Sequence, residues 1–446
     1  MAFGSDRKIS SRGFTLIETL VGSFIFLLVA LSGYRAFAAL MDAVIFSQAK
    51  IAGTSLANES IEITRNLPYE DVGVESGIPS GKIPRNQTFV KDGYSFDLQT
   101  TIRNVDDLFD GTIGGIPNDS SPADYKSADL DITCSNCKIF SPLRFTTLVA
   151  PRTLETASNN GALFIQVFDA SGLPIPNASL HIVNTQTNPD TIIDELSDNE
   201  GWIKIVDAPP GTNAYNILAT KEGYSRDETY PPGGAAGPDP LKPDATVVVQ
   251  EVTQLSLSID RTSSLNVSSI DQACVISPNV GFSLTGSKLI GAPSVLKYPT
   301  QNFTTDASGG YLVSDLEWDN YSVLLTSISY DLAGASLLPS FALNPNENKA
   351  LNLVTVPHLD KALLVSVKDP NGAAIDGATV RLEKTEFDET KNTNSGACPT
   401  PGQVFWNGLP DGEYTLTVSK TGFQTSIITP LNLSLPWQNQ IIILSP

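Results

Sequence analysis

The sequence is poor in the residues on which most enzyme active sites depend. It has two histidines, His181 and His358, together with four cysteines and two methionines among 446 residues. It shows no nucleophile elbow, phosphate-binding glycine loop, metal-ligand cluster or pair of carboxylates at a meaningful spacing. We therefore expect a protein that is not an enzyme and needs no cofactor.

Positive charge is also scarce. The chain carries 28 Lys and Arg against 48 Asp and Glu, a formal net charge of −20, and only 17% of its residues are charged. Nucleic-acid binding requires a basic face, so no nucleic-acid partner is expected. The 33 glycines and 30 prolines favour β-rich structure, and the length predicts about three or four domains.

The four cysteines are too few for a disulfide scaffold. Cys134 and Cys137 flank a predicted hairpin turn and are candidates for a disulfide that closes it. Zinc would need two further ligands nearby, and a redox motif would need a βαβ context that is missing. Cys274 and Cys398 lie beside turns of two later repeats, where they either bridge neighbouring domains or remain single thiols.

One apolar run stands out near the N-terminus. From Phe14 to Tyr34 it contains a single ionisable side chain, Glu18, and as a helix it would measure roughly 30 Å, about one bilayer core. A carboxylate inside a membrane segment costs about 2.5–3.5 kcal/mol, which makes Glu18 a functional candidate. A plain membrane anchor explains the length of the run but not Glu18. The run is preceded by three basic residues, Arg7, Lys8 and Arg12.

This order of residues resembles the class III leader of type IV pilins and pseudopilins, with a leader at 1–13 that ends in Gly13. The resemblance implies that a prepilin peptidase cuts between Gly13 and Phe14 and methylates the amine of Phe14. It also implies that Glu18, the fifth mature residue, pairs with the N-terminal amine of a neighbouring subunit in a helical filament.

The basic leader predicts an N-terminus in the cytoplasm. We therefore expect a single-pass protein of the bacterial cytoplasmic membrane before assembly, and an extracellular filament at the cell surface afterwards.

The helix should continue as an amphipathic segment to residue 67, where Pro68 ends the pattern. We predict a helix over 14–67, with its transmembrane part at 14–41. The apolar stripe is expected at Ile45, Ala49, Ala52, Leu56, Ile63 and Leu67.

A pilin-type β-sheet head is expected over 68–155. Alternating patterns predict four strands near 88–90, 94–102, 128–133 and 143–149, with a turn at Lys91-Asp92-Gly93.

The loop before the third strand is acidic. A solvated loop with no metal is the favoured interpretation, and a Ca²⁺ site with Asp106, Asp107 and Asp110 as candidate ligands is the alternative. The loop also contains Asn118, Asp119 and Asp124, and the last of these opens Asp124-Tyr125-Lys126, a run that again resembles pilin-like heads.

The remaining chain repeats itself. Phe164 to Asp169 with Gly172 matches Leu364 to Asp369 with Gly372 at an offset of 200, and a middle copy includes Pro278-Asn279-Val280. The pattern resembles carboxypeptidase regulatory-like domains, which are prealbumin-like β-sandwiches. We predict three sandwiches at 156–250, 251–357 and 358–446. The segment from Asp227 to Asp244 is either a long loop or a flexible exit from the first repeat.

These features predict an α+β multidomain protein: a long N-terminal helix with an antiparallel β head, followed by three β-sandwich domains. The expected function is that of a structural subunit of a type IV pilus-like filament. A minor or display pilin is favoured, whose sandwiches contact host cells, matrix or glycans. A minor pseudopilin of a type II secretion or DNA-uptake machine is the alternative, and a membrane-tethered enzyme is the alternative of another class.

Overall fold

The computed structural model describes residues 15–152 and 158–446, which fall into two compact units, 1–158 and 159–446. In the described part, the first unit combines a long helix with a β-sheet, and the second is built from β-strands. The predicted α+β architecture, with a long N-terminal helix and several β-sandwiches, is confirmed.

Helix α1 spans Leu16–Asn66. Its N-terminus is capped by Thr15, whose Oγ1 accepts a hydrogen bond from the Glu18 amide at 3.3 Å. No proline interrupts it, and Pro68 follows its C-terminus, just before a 3₁₀ turn at Tyr69–Asp71. The helix is long and apolar enough to cross a membrane, and its most apolar window is not buried by the rest of the protein.

The head is one antiparallel sheet in the order β1-β2-β3-β4, and all four predicted strands are present. Asp92 (φ 51°) and Gly93 (φ 82°) form the β1–β2 turn, which requires positive φ at both positions. The strands are β1 (Asn86–Lys91), β2 (Tyr94–Val105), β3 (Tyr125–Cys134) and β4 (Leu143–Val149).

The C-terminal half of α1 covers one face of this sheet. Leu56 and its neighbours pack against Phe96, Leu130 and Ile132 in a shared core. The prediction of the apolar stripe is wrong at one position. Ile63 is 59% exposed, whereas Ile61 packs against the core. The contact face moves around the helix over its last turns, because Ala57 and Thr64 are also buried there.

The second unit contains three sandwiches. The first has sheets β13-β5-β8 and β10-β9-β6-β7, with β12 also paired to β9. Its strands are β5 (Gly161–Phe168), β6 (Ser179–Asn184), β7 (Thr191–Leu196), β8 (Trp202–Ala208), β9 (Gly211–Thr220), β10 (Asp227–Glu228), β11 (Asp239–Pro240), β12 (Ala245–Val247) and β13 (Val252–Ser258).

The second sandwich has sheets β19-β14-β23-β21 and β18-β15-β20-β22. Its strands are β14 (Ser263–Asp271), β15 (Gly281–Gly286), β16 (Leu289–Ala292), β17 (Val295–Leu296), β18 (Gln301–Thr304), β19 (Gly310–Leu316), β20 (Asp319–Leu325), β21 (Tyr330–Ala335), β22 (Ser340–Leu343) and β23 (Asn348–Pro357).

The third sandwich has sheets β27-β24-β30 and β26-β25-β28-β29. Its strands are β24 (Ala362–Lys368), β25 (Thr379–Lys384), β26 (Phe387–Asn392), β27 (Gln403–Trp406), β28 (Glu413–Ser419), β29 (Ser426–Asn432) and β30 (Trp437–Ile443).

Each sandwich joins its first strand to its last in parallel: β5 with β13, β14 with β23, and β24 with β30. Strand β13 lies beyond residue 250, where the sequence analysis ends the first repeat. The segment from Asp227 to Asp244 is built into the fold as a long loop, since β10 pairs with β9 and β11 pairs with β16 of the second sandwich.

The repeated motifs are folding residues. Tyr215, Tyr321 and Tyr414 are each at most 1% exposed, and each hydroxyl donates to a backbone carbonyl a few residues earlier, at 2.5 to 2.9 Å. In the first Asp-x-x-Gly turn, Asp169 Oδ1 accepts from two amides, and Gly172 has φ 81°. These contacts explain why the motifs recur without forming a site.

Candidate functional site: an apolar helix with a single acid

The N-terminal half of α1 is apolar and exposed. Leu16, Phe24, Phe26 and Phe37 are each more than 60% exposed. A monomer in water rarely exposes so long a run of large apolar side chains, and such a surface marks contact with lipid or protein. This half of the helix is therefore the candidate functional element of the first unit.

Glu18 is the only charged residue between Leu16 and Tyr34. It lies in the first turn of α1, where the exposed amides of a helix favour negative charge. Its side chain is exposed, so it is available to a partner outside the chain. Gly13 and Phe14, the predicted cleavage pair, lie outside the described residues.

The C-terminal half of α1 is held to the head by packing and by charge. Lys91 Nζ lies 3.1 Å from a carboxylate oxygen of Glu59, and Lys138 Nζ lies 2.8 Å from one of Asp42. Gly53 allows close contact with the sheet, since a Cβ there would meet Leu143 at 3.1 Å. The two halves of the helix thus differ: one half is committed to the head, and the other is exposed.

Lys126 is a positioning residue whose role the sequence reasoning missed. It is 6% exposed, and its Nζ donates to the carbonyls of Tyr69 at 2.8 Å and Val72 at 2.7 Å. It also lies 4.4 Å from the centre of the Tyr69 ring. Lys126 therefore fixes the segment that follows α1 onto strand β3. The run Asp124-Tyr125-Lys126 was the signal, although its physical role could not be derived from spacing.

All four cysteines are in disulfides in the structure. Cys134 and Cys137 are joined across the turn after β3, with their Cα atoms 5.6 Å apart. Cys274 of the second sandwich is joined to Cys398 of the third, over a sequence separation of 124. The sequence analysis left this second pairing open. Cys274 (φ 64°) occupies the place of Gly172 and Gly372 in the repeated turn, where a side chain is costly, but that position does not identify its partner.

The loop between β2 and β3 brings aspartates together. Carboxylate oxygens of Asp107, Asp110 and Asp124 lie within 4.8 Å of one another. Asp107 and Asp110 are two of the three residues that the sequence offers as Ca²⁺ ligands, and the structure adds Asp124 to them. Asp106, the third candidate, lies beside this group, and the charges of Asp110, Asp119 and Asp124 act on it.

Comparison with known protein families matches two parts of the chain. Residues 9–34 match the prokaryotic N-terminal methylation motif. The N-terminal segment is of the type IV pilin kind. Residues 362–440, which form most of the third sandwich, match the carboxypeptidase regulatory-like domain. This pilin-like protein thus joins an N-terminal methylation motif to a C-terminal carboxypeptidase regulatory-like domain. No curated protein matches the chain.

Solved structures with some likeness to this pilin-like chain include the TIE protein of Bacillus anthracis, at 13% identity and a TM-score of 0.20. That alignment covers 81% of this chain and 61% of the TIE protein. A streptococcal ancillary pilin has 14% identity, a TM-score of 0.18, and coverage of 64% and 98%. The major pilin subunit BcpA of Bacillus cereus has 10% identity, a TM-score of 0.17, and coverage of 64% and 100%. At these TM-scores the chains do not superpose as wholes, and no functional conclusion follows from them.

Proposed function

We propose that this protein is a minor or display subunit of a type IV pilus-like filament. One observation carries the proposal: the methylation motif at 9–34 runs directly into a helix whose exposed apolar half contains Glu18 as its only acid. The other half of the helix is occupied by the head. The exposed half is therefore free to lie in a membrane before assembly and in a bundle of helices afterwards.

The position of Glu18 gives that half a specific means of assembly. Cleavage between Gly13 and Phe14 would create a positively charged amine four residues before Glu18. Burying either charge alone in an apolar bundle costs several kcal/mol, and pairing the two recovers much of that cost. A pair formed between neighbouring subunits would also fix the axial step from one subunit to the next.

The sandwiches support a display role. Residues 159–446 close their own apolar cores and need no neighbouring subunit to bury them. A filament in which every subunit carried this much extra mass would need lateral room for each copy, which favours a minor subunit. Sandwich arrays at a cell surface commonly present binding faces, so we propose adhesion to cells, matrix or glycans as their task.

The decisive variant is Glu18→Val, made in the cell that produces the filament. We expect cleavage and N-methylation to continue, as judged by the mass of the mature N-terminal peptide. We also expect the variant to disappear from the sheared filament fraction and to remain in the membrane. Glu62→Val is the matched control, because Glu62 is exposed on the packed half of the same helix.

Labelling with an antibody raised against residues beyond 160 provides the second readout. Wild-type cells should show label along surface filaments, and Glu18→Val cells should show none. Normal incorporation of Glu18→Val into filaments would contradict the role of the acid. Label confined to the cell envelope in the wild type would favour a pseudopilus subunit over a display pilin.

A further inference from the structure

The acidic loop of the head is built around five aspartates. It begins with Asp106, directly after β2, and ends with Asp124, directly before β3, so both ends are held by paired strands. Carboxylate oxygens of Asp107, Asp110 and Asp124 lie within 4.8 Å of one another. Three like charges at that distance repel strongly unless a cation lies between them.

Backbone hydrogen bonds hold these side chains in place. Asp124 Oδ2 accepts from the Asp107 amide at 2.5 Å, Asp106 Oδ2 from the Ile113 amide at 2.9 Å, and Asp107 Oδ1 from the Phe109 amide at 2.8 Å. Each bond uses one oxygen of a carboxylate and leaves the other oxygen available. The loop thus holds these carboxylates in place and still leaves one oxygen of each able to accept a further bond.

The independent evidence for a ligand comes from two buried oxygens. Asp119 is only 8% exposed, and its Oδ1 accepts from the Ser121 amide at 2.7 Å. Among the described residues, its Oδ2 is sealed from solvent and has no hydrogen-bond partner, and Asp106 Oδ1 is in the same condition. Buried carboxylate oxygens without donors are rare in native proteins, and an unseen ion is one of the few explanations for them.

Electrostatics indicates that these acids face one another. The pKa of Asp106 is raised to about 6, chiefly by burial and also by the charges of Asp119, Asp124 and Asp110, although the hydrogen bond from the Ile113 amide lowers it. Burial also raises the pKa of Asp124, with added contributions from Asp107, Asp110 and Asp119. Within residues 15–152 and 158–446, no Lys or Arg forms an ion pair with any of the five.

We propose that this loop is a Ca²⁺ site, in which Asp107, Asp110 and Asp124 supply ligand oxygens, and the half-buried Asp106 and the buried Asp119 add further negative charge around the ion. Calcium fits better than magnesium, because it accepts six to eight oxygen ligands in flexible geometry, whereas magnesium keeps several waters in a strict octahedron. An extracellular module of this type binds calcium with a Kd on the order of 10⁻⁴ to 10⁻³ M. The site would fasten the loop between two central strands of the head, whether or not the protein enters a filament.

The first experiment measures ⁴⁵Ca²⁺ binding by equilibrium dialysis of the full chain in detergent at pH 7.5. We expect one ion per chain, and a melting temperature of the head that is higher in 5 mM CaCl₂ than in EDTA. Asp110→Asn should weaken binding at least tenfold. The matched control is Asp92→Asn, which removes the same charge from the exposed β1–β2 turn and should leave binding unchanged.

Asp119→Asn separates a metal site from a purely structural acid. The variant keeps the oxygen that accepts from Ser121 and removes a buried negative charge. We expect it to be at least as stable as the wild type in EDTA and to lose the stabilisation by calcium. No bound calcium at 5 mM, equal binding of magnesium, or unchanged binding in Asp110→Asn would each overturn the proposal. So would a melting temperature of the head that is the same in 5 mM CaCl₂ and in EDTA.

Discussion

His358 forms a close pair with a buried acid in the second sandwich. Its Nδ1 lies 2.8 Å from Oδ1 of Asp331, which is 4% exposed, and the Leu359 amide donates to the other oxygen at 3.1 Å. Asp360 lies 3.7 Å from His358 Nε2. The hydrogen bond that His358 donates to Asp331 is the main cause of a raised pKa for His358, and the charges of Asp331 and Asp360 act in the same direction.

This pair predicts a pH dependence of stability. Because the folded pKa of His358 lies above its unfolded value near 6.5, the protonated ring stabilises the fold fully below that value. The contribution is lost as the pH rises through the folded pKa. We expect the melting temperature of the transition that includes the second sandwich to fall between pH 6 and pH 8.5 in the wild type and to fall less in His358→Gln.

The other histidine is the control for this experiment. His181 lies in the first sandwich and pairs with Asp194, so His181→Gln should leave the pH dependence of the second sandwich intact. An equal pH dependence in His358→Gln and the wild type would refute the assignment.

For single residues, the sequence predicts contacts between residues close in the chain better than contacts between residues of different elements or domains. The spacing of Cys134 and Cys137 suggests their bond, because a bridge over so few residues needs only a turn. The bond between Cys274 and Cys398 depends on how two domains pack, and periodicity carries no information about that. The exposed Ile63 was misassigned for a related reason, since it depends on how the sheet lies across the helix.

Among the elements, α1 and the head sheet form one cooperative core. Ala52, Leu56 and Ala57 are at most 2% exposed and pack against Phe96 and the central strands. The element bounds were predictable, because Pro68 ends the helix and Asp92-Gly93 turns the first hairpin. Which aspartates of the β2–β3 loop lie together was less predictable, because they come together only when the loop itself folds.

This core predicts a clear difference between two substitutions on one helix. Leu56→Ala should lower the free energy of unfolding of the head by about 2–5 kcal/mol, since it removes a fully buried side chain and leaves a cavity. Ile63→Ala should change it by less than about 0.5 kcal/mol, because that side chain is exposed. Urea unfolding followed by a probe in the head measures both, and equal effects would show that the helix is packed differently.

At the scale of the whole molecule, the second and third sandwiches are fastened to each other. The Cys274–Cys398 disulfide crosses between them. Gln403 of the third exchanges hydrogen bonds with the amide and carbonyl of Ala335 in the second, at 3.0 and 2.9 Å. Trp437 Nε1 donates to the Leu332 carbonyl at 2.9 Å. These contacts predict that the two sandwiches unfold together.

Removing the crosslink tests this coupling. The double variant Cys274→Ser/Cys398→Ser should lose about 2–4 kcal/mol of unfolding free energy, because its disulfide closes a long loop in the unfolded chain. Calorimetry should then show two separate transitions where the wild type shows one. Cys134→Ser/Cys137→Ser is the control, with a smaller loss confined to the head, since that loop is short. A wild type with two well-separated transitions would contradict the coupling.

The parallel pairing of first and last strands in each sandwich has a mechanical consequence. A chain that arrives through β5 and departs through β13 enters at one end of the pair and leaves at the opposite end, and the same holds for β14 with β23 and β24 with β30. Tension along the polypeptide then shears the two strands past each other and strains their evenly spaced hydrogen bonds all at once. With one such strand pair in each of the three sandwiches, the chain would resist unfolding under the drag of flowing liquid.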